Sequence, residues 1–93
     1  MNRTDYEEIS GYLRGLLVRL DDRLSAKDLA LIAEFIDVGE LGLALEQMAD
    51  VLSEENLALS DDERAGMLSV AKRMKIVDRI SRVLGLCPRP SDP

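Results

Sequence analysis

Apolar residues recur at helical spacing in five stretches of the chain, separated by short breaks. In the first, Thr4-Asp5-Tyr6-Glu7 supplies an N-cap and early acids, and Tyr6, Ile9, Leu13, Leu16, Leu17 and Leu20 then fall on one face. Ser25-Ala26-Lys27-Asp28 has the form of a capping box with Asp in the place of Glu or Gln; Leu29, Ile32, Ala33 and Ile36 make the stripe of a second helix that ends near Asp37. Leu31 and Phe35 lie on another side of that helix, so it is either buried on two faces, which is the preferred reading for the only Phe of a small core, or carries an exposed apolar patch. Glu40 to about Glu54 reads as a third helix with a broad apolar arc of Leu41, Ala44, Leu45, Met48, Ala49, Val51 and Leu52. Ser60-Asp61-Asp62-Glu63 is a capping box opening a fourth helix, whose inward side is Met67, Val70, Ala71 and Met74. A fifth, Val77 to Leu84, turns Ile80 and Leu84 inward before Gly85 stops it.

No strand-like alternation longer than a few residues occurs, and every break is short. The expectation is an all-α fold, a small antiparallel four- to five-helix bundle over residues 1–86, with 87–93 a disordered Pro-rich tail that includes Cys87. Among the glycines, Gly39 is expected to end the second helix in the left-handed conformation and Gly42 to let that helix approach the third. Gly11 and Gly15 predict the close approach of a neighbouring helix to the first.

Composition narrows the chemistry. In 93 residues there is no His and a single Cys, which excludes an internal disulfide, a Cys/His metal site and histidine acid–base catalysis. With two Tyr, one Phe and no Trp, a base-stacking platform is absent, and a net charge of −6 disfavours phosphate binding. No run resembles a signal peptide or a membrane span, so the chain is expected in the cytoplasm.

Charge is segregated along the chain. Residues 1–24 carry four basic and five acidic side chains, residues 25–63 one basic and eleven acidic, and residues 64–93 seven basic and two acidic. The middle segment is therefore self-repelling, a cost that an inert surface of mixed sign avoids. On the third helix, Glu40, Glu46, Gln47, Asp50 and Glu54 fall opposite the apolar arc with Leu43 among them. An apolar side chain within an acidic face suits a protein-binding surface, although a charged helix face is also what solvation alone produces. The partner-binding candidates are Asp37, Glu40, Leu43, Glu46, Gln47, Asp50, Glu54 and Glu55, with Asp61 and Asp62 beside them. The basic run Lys72, Arg73, Lys75, Arg79 and Arg82 suits internal pairing or helix C-termini as well as it suits a nucleic-acid patch.

No catalytic, cofactor or metal residues are assigned. Ser25, Ser53 and Ser60 lack the Asp-Ser-Leu setting of an acyl carrier's phosphopantetheine site, and Glu46 with Asp50 is a bare carboxylate pair without a calcium-binding loop. The class expected is a non-enzymatic binding protein.

From Ser25 to about Ile76 the chain resembles the MafI-type immunity proteins of bacterial polymorphic toxin systems. The resemblance is carried by Leu24-Ser25-Ala26-x-Asp28, by Phe35-Ile36-Asp37-x-Gly39-Glu40-x-Gly42-x-Ala44-Leu45-Glu46, and by Leu59-Ser60-Asp61-Asp62-Glu63-Arg64 ahead of Leu68 and Met74. It implies a small helical cytoplasmic protein, monomeric or weakly homodimeric, that neutralises a cognate toxin, often a nuclease, by binding it. Acids of the middle segment would then meet Lys and Arg of the toxin's substrate groove, with Leu43 as an apolar anchor. The alternative is a helical adaptor or regulator acting through homodimerisation at Leu31, Phe35 or Leu43, or through a partner helix.

Overall fold

Asn2, not Thr4, opens the first helix: its Oδ1 accepts the Asp5 backbone N–H at 2.8 Å, so the helix begins one residue ahead of the expected cap. Asn is a stronger N-cap than Thr, and the two residues compete for one helix start. In the computed structural model, which describes residues 1–90, the elements are α1 (Arg3–Arg19), a 3₁₀ turn (Leu20–Asp22), α2 (Ala26–Asp37), α3 (Leu41–Glu54), α4 (Asp61–Arg73) and α5 (Val77–Leu84). The fold is an all-α five-helix bundle, without a strand among the described residues. No helix there is long and apolar enough to cross a membrane.

Serines start α2 and α4 as their sequences predict. The Ser25 hydroxyl accepts the Asp28 N–H at 3.1 Å, and the Ser60 box is reciprocal, with Ser60 N–H donating to Glu63 Oε1 at 2.9 Å and Glu63 N–H to the Ser60 hydroxyl at 3.1 Å. The ends of α2, α3 and α4 share one device. Each closes with a left-handed residue, Gly39 (φ +82°), Asn56 (φ +55°) and Lys75 (φ +63°), followed by a residue whose N–H reaches back five positions. Glu40 N–H thus donates to the Phe35 carbonyl, Leu57 to Leu52 and Ile76 to Ala71, each at 2.9 Å. These bonds satisfy carbonyls that a helix end otherwise leaves without a partner.

The core is built around α3, whose Leu41, Ala44, Leu45, Met48, Ala49, Val51 and Leu52 are all buried, as its arc predicts. It packs against each of the other four helices. Ile9, Leu13, Leu16 and Leu20 of the first stripe are buried as well, but Tyr6 is exposed and Leu17 is half-buried.

Several expectations are corrected. Leu31 is exposed and Phe35 only half-buried, so α2 is not buried on two faces. A Cβ added at Gly11 or Gly15 would meet nothing within 4 Å, so among the described residues no neighbouring helix packs closely against them. At Gly42 the nearest atom is Ile76 Cδ1, so the open side faces the start of α5 instead of α2. The close approach is at Gly66 on α4, where the hydroxyl end of the Tyr12 ring of α1 occupies the space a Cβ would take.

The chain beyond Gly85 also departs from expectation. Cys87 is buried, and the Pro88 carbonyl accepts the Leu59 N–H at 3.0 Å. Arg64 secures this stretch, its guanidinium donating to the Leu84 carbonyl and, at 3.1 Å, to the Cys87 carbonyl. A guanidinium fork neutralises the exposed carbonyls of a helix end, so α5 is tied to α4. Residues 91–93 of the expected tail lie outside the described residues.

Candidate protein-binding face

From the N-cap Glu40 along α3, Leu43, Gln47, Asp50 and Glu54 follow outside the core as one stripe at spacings of three and four. Glu40 caps the helix without a side-chain bond, Glu54 and Glu55 are exposed at its end, and Gln47 and Asp50 are half-buried. Leu43, in the middle of the acids, is 47% exposed.

Glu46 does not belong to that stripe. Its side chain is only 17% exposed and Oε2 lies 3.2 Å from Arg79 Nη1, in the seam between α3 and α5. A helical wheel places Glu46 opposite the apolar arc, but the arrival of α5 on that side covers it. Asp37 is exposed at the end of α2, where its Oδ1 accepts from Arg14 Nη2 of α1 at 2.8 Å. Asp61 and Asp62 sit in the first turn of α4, where backbone N–H groups favour negative charge, and Asp61 is 3.4 Å from Arg89. The ten candidates thus divide: five share a face with Glu55 at its end, and Asp37, Glu46, Asp61 and Asp62 serve contacts within the chain or a helix end.

The face extends onto α2. The α1 side of α2 is marked by Leu29, Ala30 and Ala33 and by Asp37, so Leu31, Phe35 and Val38, spaced four and three apart, lie on the flank toward α3. Gly42 and Glu46 mark the α5 side of α3, which sets Leu43 and Gln47 toward α2. Leu31, Phe35, Val38 and Leu43 therefore belong to one surface, and Val38 is 66% exposed. Val38 escaped the sequence reading, although the spacing Leu31, Phe35, Val38 is itself a helical stripe.

Charge on this face is uncompensated. Glu40, Asp50, Glu54 and Glu55 have no cation within 4.0 Å among the described residues, whereas Arg3, Arg14, Arg19, Arg23, Arg64, Arg73, Arg79 and Arg89 are engaged elsewhere in the chain. Of the basic run, Arg73 binds Asp5 at 2.5 Å and Glu8 at 2.8 Å, and Arg79 binds Glu46. Those contacts tie α1 to α4 and α3 to α5.

Among the described residues the one buried carboxylate lies outside this face. Glu63, 3% exposed, is gripped by Arg23 through two bonds, Nη1 to Oε1 at 2.8 Å and Nη2 to Oε2 at 2.7 Å, and Arg19 Nε stands 3.2 Å from Oε2. The Arg23 guanidinium holds the Glu63 carboxyl down to about 2, against the opposing effect of burial, and the Ser60 N–H assists. Its lone pairs are committed, so it is a fastening and not an acid or base poised for reaction. Among the described residues no group of three or more Cys, Asp or Glu side chains is arranged to hold a metal.

Compared with protein-family models, with curated proteins and with solved structures, the chain finds no match.

Proposed function

We propose that the protein is an immunity protein that binds and neutralises a cognate bacterial toxin, using the α2–α3 face to cover a basic substrate groove. The reading rests on one arrangement above the others: Leu31, Phe35, Val38 and Leu43 lie on the adjoining flanks of α2 and α3 beside Glu40, Asp50 and Glu54, acids with no cation within 4.0 Å among the described residues. Unneutralised acids raise the encounter rate with a cationic surface, and the apolar side chains provide the desolvated centre from which an interface draws most of its affinity. The resemblance of residues 25–76 to MafI-type immunity proteins supports the same class. The inhibition is steric. Acidic side chains take the place of nucleic-acid phosphates along the toxin's cationic groove, and no bond is made or broken.

The test is co-expression in bacteria with the toxic C-terminal domain of the protein encoded immediately upstream. Protection of growth, with recovery of a complex by affinity purification, is the expected result. Growth arrest with no complex would leave an acidic helical adaptor, the second class the sequence allows.

A further inference from the structure

The α1–α2 seam carries an apolar groove on the flank of α2 opposite the acidic face. Its volume is about 470 Å³, and Leu17 of α1 with Leu29, Ala30 and Ala33 of α2 form its walls. Beside them Val18 stands 74% exposed in the last turns of α1, more than any other large apolar residue of the described chain.

Charge distinguishes the occupant. The acids of α3 attract a basic surface, but the charged residues of this groove are one cation, Arg14, and one anion, Asp21. They are seven residues apart, Arg14 on α1 and Asp21 in the 3₁₀ turn that continues it, about 10 Å along the same axis. Parallel pairing of α1 with another α1 would set like charges together; antiparallel pairing centred near Val18 sets each Arg14 against the other copy's Asp21. Asp21 has no ion pair among the described residues, and Arg14 engages Asp37 through Nη2 alone, leaving Nη1 and Nε to donate. The groove is thus complementary to itself under a twofold axis, the arrangement that closes a dimer without leaving a free surface.

We propose that two copies of this chain associate through the α1–α2 groove, α1 antiparallel to α1, with Val18 of each copy seated against Leu17, Leu29 and Ala33 of the other. A contact centred on so short a stretch of α1 and α2 belongs at the low end of specific interfaces, so weak association, in the micromolar range, is expected. The proposal is independent of the immunity reading; if both hold, the acidic faces remain free and two toxin domains bind per dimer.

Sedimentation equilibrium across the micromolar range tests it. The wild-type protein should pass from 10.3 kDa to twice that mass with rising concentration. The Val18→Asp variant, changed at an exposed site, should stay monomeric with an unaltered helical spectrum. In a second measurement, the Val18→Cys variant should form an intermolecular disulfide under mild oxidation, because the twofold axis brings the two positions together, while a Val38→Cys variant should not. A wild-type monomer at every concentration, or a dimer that Val18→Asp leaves intact, would overturn the proposal.

Discussion

Arg23 and Glu63, forty residues apart in the chain, face each other as a two-bond ion pair that fastens the turn after α1 to the first turn of α4. The Arg23 guanidinium also donates to the Ala58 carbonyl at 3.1 Å, so the same group fixes the loop between α3 and α4. This fastening ties α1 to α4 and to the loop after α3, and its strength depends on pH.

Glu63 titrates near 2 when folded and near 4.5 when free. A carboxyl lowered on folding stabilises the native state above its unfolded pKa and loses that contribution as pH falls toward the folded value. Stability should therefore drop by about 3 kcal/mol between pH 5 and pH 2 from this group. Urea unfolding across that range measures it. The Glu63→Gln variant, which keeps a capping side chain, should be about 3 kcal/mol weaker at pH 7 and show a shallower acid dependence.

A methyl group on Gly66 would overlap the Tyr12 hydroxyl and come within 2.8 Å of its Cζ. Gly66→Ala should destabilise by about 1–2 kcal/mol, even though Ala in a helix interior is worth about 1 kcal/mol over Gly. With Tyr12→Ala in the background the sign should reverse. Thermal melts of the four proteins in that cycle give the coupling directly.

Lys75 ends α4 at φ +63°, a conformation that disfavours any side chain with a Cβ. Lys75→Gly should raise stability by about 1 kcal/mol, since the left-handed penalty of about 1–2 kcal/mol exceeds the entropy that glycine loses on folding. The midpoint of a denaturant titration should rise with its slope unchanged.

Burial pushes the Cys87 thiol above its ordinary value, with the nearby Arg64 acting in the opposite sense. A thiol reagent at pH 8 should react at least about tenfold more slowly with the folded protein than in denaturant. Arg64→Ala removes the two side-chain hydrogen bonds to the Leu84 and Cys87 carbonyls, leaving only the Leu59–Pro88 bond to the loop after α3, and should abolish most of that protection.

What was legible in the sequence is what local chemistry decides. Ser25, Ser60 and Gly39 mark helix ends by their own preferences, and the apolar arc of α3 is broad enough to place it at the centre without knowing its neighbours. The remainder depends on which helix arrives where. Glu63 reads as a capping residue because that role is local, while its grip on Arg23 spans forty residues. Gly66 looks like an indifferent helix interior until Tyr12 of α1 is laid on it. The wheel of α3 offers Glu46 to solvent, and only the position of α5 with Arg79 withdraws it. Likewise α2 has too few neighbours to bury both of its apolar sides, so Leu31 and Val38 stay at the surface beside Leu43.

The central claim is that the acids of the α2–α3 face meet a basic toxin surface. Its most direct test is calorimetric titration of the proposed toxin partner, a basic C-terminal domain encoded upstream, in low salt, with the wild-type protein and an Asp50→Lys, Glu54→Lys double variant. Both substitutions leave the core and every ion pair of the described chain untouched. At least about a tenfold loss of affinity, shrinking as salt screens the charges, is predicted. Equal affinity of the two proteins in low salt would contradict it.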